Sequence, residues 1–264
     1  SKAVFQPRSA GKPGGAGYSK LQCVTLAGAT WCGLAADRVR LVHHLAASDS
    51  DSITETQWLK TFIAESVSTA AAEPLAQRWS RGVAQLTHLQ SRVITAKAFN
   101  RLCGGGMNKS DLLSQTTLTL VKTVLDQLQI PDGESVHVFC DRHGGRRYYA
   151  GPLQSVFDAV LVQVIAESKT ESSYRVPYDG RDFTIRFTVK GDSFTPVAFS
   201  SMVAKYLREK AMESLNDYFA SLHSGKHPLQ PTAGYPVDAD RFLADIRPII
   251  KKQNIDLSDL VRSR

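Results

Sequence analysis

The polar and apolar positions follow a helical rhythm in the first half of the chain and a mixed one in the second. Over residues 34–89, Trp58, Phe62, Val67 and Leu75 are set among Ala, Glu, Gln and Ser without strand-like alternation, which predicts helix. Asp49, Asp51 and Ser52 are suitable N-caps for a helix over 54–72. A short β-like run at 92–95 leads into a helix at 96–102, which Gly104, Gly105 and Gly106 break. Leu112, Leu113, Leu118, Val121, Val124 and Leu128 recur at three- and four-residue steps and predict a second helix over 111–128, ended by Pro131, Asp132 and Gly133.

Residues 136–140 read as a short apolar strand that runs directly into Asp141, and 159–166 as a second apolar run. Residues 172–176 and 183–189 flank a Pro-Tyr-Asp-Gly turn and predict a hairpin. In its second arm Phe183, Ile185, Phe187 and Val189 alternate with Thr184, Arg186 and Thr188, the sign of a half-buried strand. A long helix is expected over 196–223, with Val203, Leu207, Ala211, Leu215, Tyr218 and Leu222 as its apolar stripe. Pro228, Pro231 and Pro236 mark a loop before a last helix at 239–250. Strands alternating with helices point to an α/β fold, and no internal repeat is present. The turn-rich stretch 7–17 reads as a linker, since its glycines do not match a phosphate-loop motif.

Composition narrows the class. With 264 residues, 42% hydrophobic and 22% charged, the chain is an ordinary globular protein and not a disordered, collagenous or disulfide-framework one. Its apolar runs fall short of a membrane span, and no apolar h-region follows the charged N-terminus, so neither membrane insertion nor a signal peptide is expected. Cys23, Cys32, Cys103 and Cys140 lack C-x-x-C spacing and read as reduced thiols in a cytoplasmic setting. Thirty-two Lys and Arg against 25 Asp and Glu, a net charge of +7, favour a polyanionic partner.

Two segments carry candidate chemistry. Asp141 emerges at the C-terminal end of a strand, where open α/β sheets gather ligands, and is followed by Arg142, His143, Gly144, Gly145, Arg146 and Arg147. The glycines admit close backbone approach and the arginines suit phosphates; a solvated turn is the competing explanation. The second segment delivers Lys190, Gly191 and Asp192 from a strand into a helix that presents Lys205, Arg208 and Glu209. A helical wheel sets Glu209 away from the apolar stripe, as for a surface Glu, and Asp192 suits a turn or cap. His223 and His227 have no cysteine or carboxylate near them in sequence, which argues against zinc, and no nucleophile triad is readable.

The block from Val189 to Asp192, followed by Pro196 through Met212, resembles the K-G-D strand end and the A-A-S-I-x-A-K-x-x-R-D-x-x-M helix of ribonuclease HII, a branch of the ribonuclease H superfamily. Thr232-Ala233-Gly234-Tyr235-Pro236 is similar to that family's H-K-G-Y loop, and Phe99, Asn100 and Asn108 stand where it has its I-D-x-L-N-I segment. The resemblance covers roughly residues 90–250 and is specific over 189–212. It implies a ribonuclease H-like mixed sheet flanked by helices, here over 91–264, with a flexible segment at 1–20 and a helical subdomain or insertion at 21–90. It also implies hydrolysis of RNA phosphodiester bonds in RNA/DNA hybrids, or in DNA with embedded ribonucleotides, using two Mg²⁺ or Mn²⁺ ions held by four carboxylates. Asp141 would be the strand-end carboxylate and Glu209 would stand for the helix Asp. Lys190, Ser200, Ser201 and Tyr235 would lie along the nucleic-acid groove.

Two features depart from that pattern. No strand ending in D-E-x-G is present, and the chain opens with Ser1-Lys2, similar to the end of the family's Asp-Ser-Lys motif. A chain that begins after the first catalytic strand is the economical expectation, and its metal site would be incomplete. Two further readings stand beside the nuclease. A non-catalytic nucleic-acid-binding protein on the same fold would bind through Arg142, Arg146, Arg147, Lys190 and Lys205 without a metal requirement. A basic α/β interaction domain of accidental similarity would lack the five-stranded mixed sheet.

Overall fold

The computed structural model describes residues 16–34, 38–158 and 161–263. The chain runs α1 (Ala16–Trp31), β1 (Arg38–Val39), α2 (Leu41–Leu45), α3 (Ser50–Glu55), α4 (Lys60–Ala64), β2 (Val67–Ser68), α5 (Glu73–Ser80), α6 (Ala96–Gly104) and α7 (Lys109–Gln127). It continues through β3 (Val136–Asp141), α8 (Ala150–Phe157), β4 (Gln163–Glu167), β5 (Glu171–Tyr178), β6 (Arg181–Thr188), α9 (Thr195–Leu222), α10 (Pro236–Lys252) and α11 (Leu257–Leu260). It divides into two compact units, one of Leu102–Ser201 and one of Ser1–Arg101 with Met202–Arg264.

The unit of residues 102–201 is mixed α/β. Its sheet has the order β3-β6-β5-β4, with β3 parallel to β6 and the other pairs antiparallel. The hairpin expected from alternation is present. Its two-residue loop, Asp179-Gly180, has positive φ at both positions (49° and 73°), the geometry that follows the twist of a tight hairpin. Phe183, Ile185 and Phe187 of β6 are buried at 0–2% exposure and pair in register with Val136, Val138 and Cys140 of β3. These side chains share one face with Tyr174 and Val176 of β5, and Leu118 of α7 and Leu153 and Phe157 of α8 pack into the same core. Asn108 caps α7, its Oδ1 accepting from the Asp111 N–H at 2.9 Å. The described sheet has four strands, where the resemblance implies five.

The other unit is helical apart from the β1–β2 ribbon. Its core gathers Leu41, Leu45, Ile53, Trp58 and Phe62 from the first part of the chain, and Tyr206, Phe219, Phe242 and Ile246 from the last. The Trp58 and Phe219 rings stack at 6.2 Å, and buried Ser214 donates to the Trp58 carbonyl at 2.8 Å while accepting from the Phe62 N–H at 3.2 Å.

Three local expectations are corrected here. Residues 54–72 do not form one helix. The Thr54 and Thr56 hydroxyls bond back to the Ser50 and Ser52 carbonyls, and Thr56 turns extended at ψ 105°, so the segment breaks into short turns that bury Trp58, Leu59, Phe62 and Ile63. Asp49 caps no helix; its carboxylate grips the Arg92 guanidinium and the Val93 N–H instead. Residues 92–95 are consequently not a strand, because the Val93 donor is spent on Asp49 and not on a ladder. Of the expected flexible segment 1–20, residues 1–15 lie outside the described residues and 16–20 open helix α1. The linker reading of 7–17 falls mostly on that undescribed part.

Candidate functional site

Strand β3 carries Asp141 at its last position, paired in register with Thr188 of β6. Alternation along β3 puts Val136, Val138 and Cys140 on the core face, so Asp141 falls on the opposite face with Phe139. Phe139 meets Phe194 at 4.8 Å between ring centroids. Asp141 is exposed, and its Oδ1 accepts the Gly191 N–H at 3.0 Å. A Cβ on Gly191 would lie 3.1 Å from the Asp141 Cα and 3.2 Å from Oδ1. The Lys190-Gly191-Asp192 turn therefore closes directly over the strand end. Lys190 itself adopts a left-handed conformation with φ 59°, and both Lys190 and Asp192 are exposed.

The turn after Asp141 is built from the inside. His143 is 8% exposed, its Nδ1 is 3.1 Å from the Ser114 Oγ of α7, and its ring meets Tyr149 and Phe187 edge-on at 5.5 Å. Burial, aided by the Arg146 charge, pushes the His143 imidazole down to about 4, so it is neutral at physiological pH. The Tyr149 hydroxyl accepts the His143 N–H at 3.0 Å, the Tyr174 hydroxyl accepts the Tyr149 N–H at 3.0 Å, and Tyr174 donates onward to Glu167 at 2.6 Å. Burial and the Asp141 charge push the Cys140 thiol up to about 12, which leaves it inert as a nucleophile.

The three arginines of the turn have partners inside the unit. Arg142 donates to the Lys169 carbonyl at 2.7 Å, the Ser168 carbonyl at 3.1 Å and Ser172 Oγ at 3.0 Å. Arg147 donates to the Glu167 carbonyl at 2.9 Å, so both arginines clamp the β4–β5 connection. Arg146 bonds Ser110 Oγ at 3.0 Å and pairs with Asp111. Their sequence spacing suits phosphates, but the carbonyls of the β4–β5 turn occupy much of that donor capacity. Ser200 is exposed and Ser201 half-buried on α9. Both lie beyond its first four N–H groups, so the Ser200 hydroxyl, not its backbone, is what a phosphate would meet.

In the helical unit Glu209 is 4% exposed, contrary to the surface position that the wheel assigns it. The wheel fails because α9 buries Tyr206 and Glu209 as well as the Val203–Leu207 row. Glu209 Oε1 accepts from Arg208 Nη1 at 2.8 Å. Lys205 is half-buried. Tyr235 opens α10 at its N-cap position and is 46% exposed, with the Arg208 guanidinium 4.9 Å from its ring centroid. Gly191 and Arg208 are named in the sequence only as members of the candidate segment and given no role, although the glycine of the Lys-Gly-Asp turn is a readable signal of close approach.

Among the described residues no three His, Cys, Asp or Glu side chains gather as a metal centre requires, and no helix is long and apolar enough to cross a membrane. Asp141 and Glu209 belong to different units. Compared with known protein families, curated proteins and solved structures, the chain has no match.

Proposed function

We propose that this chain acts on RNA/DNA hybrids, or on DNA with embedded ribonucleotides, as a ribonuclease HII-like phosphodiester hydrolase on a ribonuclease H-like sheet. One observation carries the reading: the exposed Asp141 carboxylate at the end of β3 takes the Gly191 N–H at 3.0 Å, joining the strand-end acid to the Lys190-Gly191-Asp192 turn of the motif block. The parallel pairing of β3 with β6 brings those two segments side by side. A net charge of +7 suits the polyanionic substrate.

The family chemistry calls for Mg²⁺ or Mn²⁺ on four carboxylates. Asp141 and Glu209 are the residues carried over by motif, they stand in separate units, and no third ligand gathers at either among the described residues. That donor set does not fit a two-metal centre, and no hydrolytic step through metals follows from it. What the chain's own residues supply is a hard, exposed carboxylate held by a backbone amide, a rigid basic turn beside it, and an exposed aromatic at Tyr235. The same incomplete donor set favours a second reading, a non-catalytic hybrid-binding protein in the cytoplasm, whereas the four described strands of the sheet count toward the basic interaction domain.

Cleavage of a labelled DNA duplex with a short RNA tract, with Mg²⁺, with Mn²⁺ and with EDTA, tests the proposal. Divalent-dependent cleavage lost in Asp141→Asn and in Glu209→Gln, both still folded, would sustain the hydrolase and require metal ligands beyond these two. Salt-dependent binding without cleavage would replace the nuclease by the binding protein. Absence of both binding and cleavage would leave the basic interaction domain as the surviving reading.

A further inference from the structure

A cleft of about 400 Å³ opens in the helical unit between the turn that leads into α4 and the last turns of α9. Its wall is already built. The Trp58 and Tyr218 rings meet at 6.3 Å between centroids with 58° between their planes, which makes an aromatic corner. Behind the corner Trp58 stacks on buried Phe219 at 6.2 Å, and Tyr218 Oη donates to Gln57 Oε1 at 2.8 Å. Thr61 Oγ1 lies 2.5 Å from Ser214 Oγ, and Ser221 Oγ donates to the Tyr218 carbonyl at 2.7 Å. The neutral polar groups of the wall thus have their partners inside the unit. The charged ones do not. Lys60 and Asp217 both line the cleft and are exposed, and neither has a hydrogen bond or an ion pair among the described residues. Partial burial lifts the Asp217 carboxyl above the ordinary aspartate range, and Glu213 and Glu65 add to this while Lys210 opposes it. Those surroundings favour an arriving cation.

We infer that this cleft is a binding site for a free α-amino acid with an aromatic or large aliphatic side chain. The side chain packs in the Trp58–Tyr218 corner, the ammonium pairs with Asp217 and the carboxylate pairs with Lys60. The two charges select the class. A purely apolar occupant would take water from an ammonium and a carboxylate and pair neither, a desolvation cost that apolar contact does not offset. An organic cation would leave Lys60 without a partner, and an organic anion would leave Asp217 without one. A zwitterion with an apolar body satisfies the corner and both charges together. A volume of about 400 Å³ is at the small end of the range for small-molecule sites, about 300–1,000 Å³, which suits one such molecule. This site is independent of the proposed action on nucleic acid.

Saturation-transfer NMR titrations of the full chain with L-phenylalanine test the site. Phenethylamine, which lacks the carboxylate, and hydrocinnamate, which lacks the ammonium, are titrated beside it. Each probe is measured on wild type, Lys60→Gln and Asp217→Asn. Both substitutions fall at exposed positions, and circular dichroism establishes that the variants are folded. L-Phenylalanine is expected to bind wild type saturably and each variant about tenfold more weakly. Phenethylamine is expected to lose affinity in Asp217→Asn and to be indifferent to Lys60→Gln, and hydrocinnamate to show the reverse. No saturable binding of L-phenylalanine below about 10 mM would overturn the site. Losses that do not follow which charge was removed would overturn the pairing of Asp217 with the ammonium and Lys60 with the carboxylate. Phenethylamine binding wild type as tightly as L-phenylalanine would make this a site for an organic cation and overturn the amino-acid assignment.

Discussion

The Gly191 N–H, in the turn that follows β6, donates to the Asp141 carboxylate at the end of the parallel neighbour β3 at 3.0 Å, and the two backbones approach so closely that a methyl group on Gly191 would lie 3.1 Å from the Asp141 Cα. Gly191 has no positive φ, so space and not conformation demands glycine. Gly191→Ala shifts the turn and the strand end apart by a few tenths of an ångström, since two of the three atoms in the way, the Asp141 Cα and the Cys140 carbonyl oxygen, are backbone and the third is the Asp141 Oδ1 that accepts the hydrogen bond. The expected cost is about 1–3 kcal/mol of stability by overpacking, with the Asp141 hydrogen bond lengthened or lost. Denaturant unfolding measures the first effect. Hybrid cleavage or binding measures the second, and an unchanged midpoint would show that the turn relaxes freely.

Asp49 and Arg92 form a two-pronged ion pair, with Nε to Oδ2 at 2.9 Å and Nη2 to Oδ1 at 2.8 Å, and the Val93 N–H adds a third bond at 2.7 Å. Asp49 is 7% exposed and Val93 half-buried, so removal of Asp49 leaves the Val93 N–H without its acceptor, while the Arg92 side chain, 31% exposed, turns to water. Asp49→Ala is expected to cost about 1–3 kcal/mol, whereas Asp51→Ala, at an exposed position of α3, costs about 0.5 kcal/mol or less. Equal unfolding midpoints for the two variants would contradict the clamp.

That clamp also marks where the sequence stopped being readable. Asp49 before an apolar-periodic run has the local signature of a cap, and its true partner stands 43 residues away. Nothing in local spacing encodes such a pairing. The hairpin around Asp179-Gly180 was legible because turn chemistry and alternation are both local, and α7 because its cap and its stripe are. Asp141 was legible as a strand-end acid for the same reason. Burial of Glu209 was not, because a wheel knows only its own helix, and neither was the internal use of Arg142 and Arg147, whose acceptors are carbonyls that any sequence would supply.

Asp238 gives a pH dependence with a definite sign. Hydrogen bonds from Arg241, Thr232 and the Ala233 N–H outweigh partial burial and hold its carboxyl below the ordinary aspartate range. A depressed folded value stabilises the native state above the unfolded pKa of about 4, and this contribution is lost as pH falls through the folded value. Asp238→Asn is therefore expected to cost about 1–2 kcal/mol at pH 7, and the gap to wild type should narrow below about pH 4. Melting curves from pH 7 to 3 check this. A gap that widened with acid would reverse the assignment.

Arg142 and Lys190 both belong to the basic surroundings of Asp141, yet their environments separate what each does. Arg142 spends its guanidinium on the Ser168 and Lys169 carbonyls and Ser172 Oγ, so Arg142→Ala removes donors from the β4–β5 turn and is expected to cost about 1–3 kcal/mol. Lys190 is exposed at φ 59°, and alanine in the same left-handed conformation carries the same strain, so Lys190→Ala should leave the melting temperature nearly unchanged. The order is expected to invert in hybrid binding. Loss of one exposed phosphate contact lowers the salt slope by about one, while a guanidinium already held by carbonyls contributes less to counterion release. Melting each variant and titrating hybrid at several salt concentrations decides the point. If Arg142→Ala melts like wild type and flattens the salt slope, the arginine faces nucleic acid and its internal contacts do not govern it.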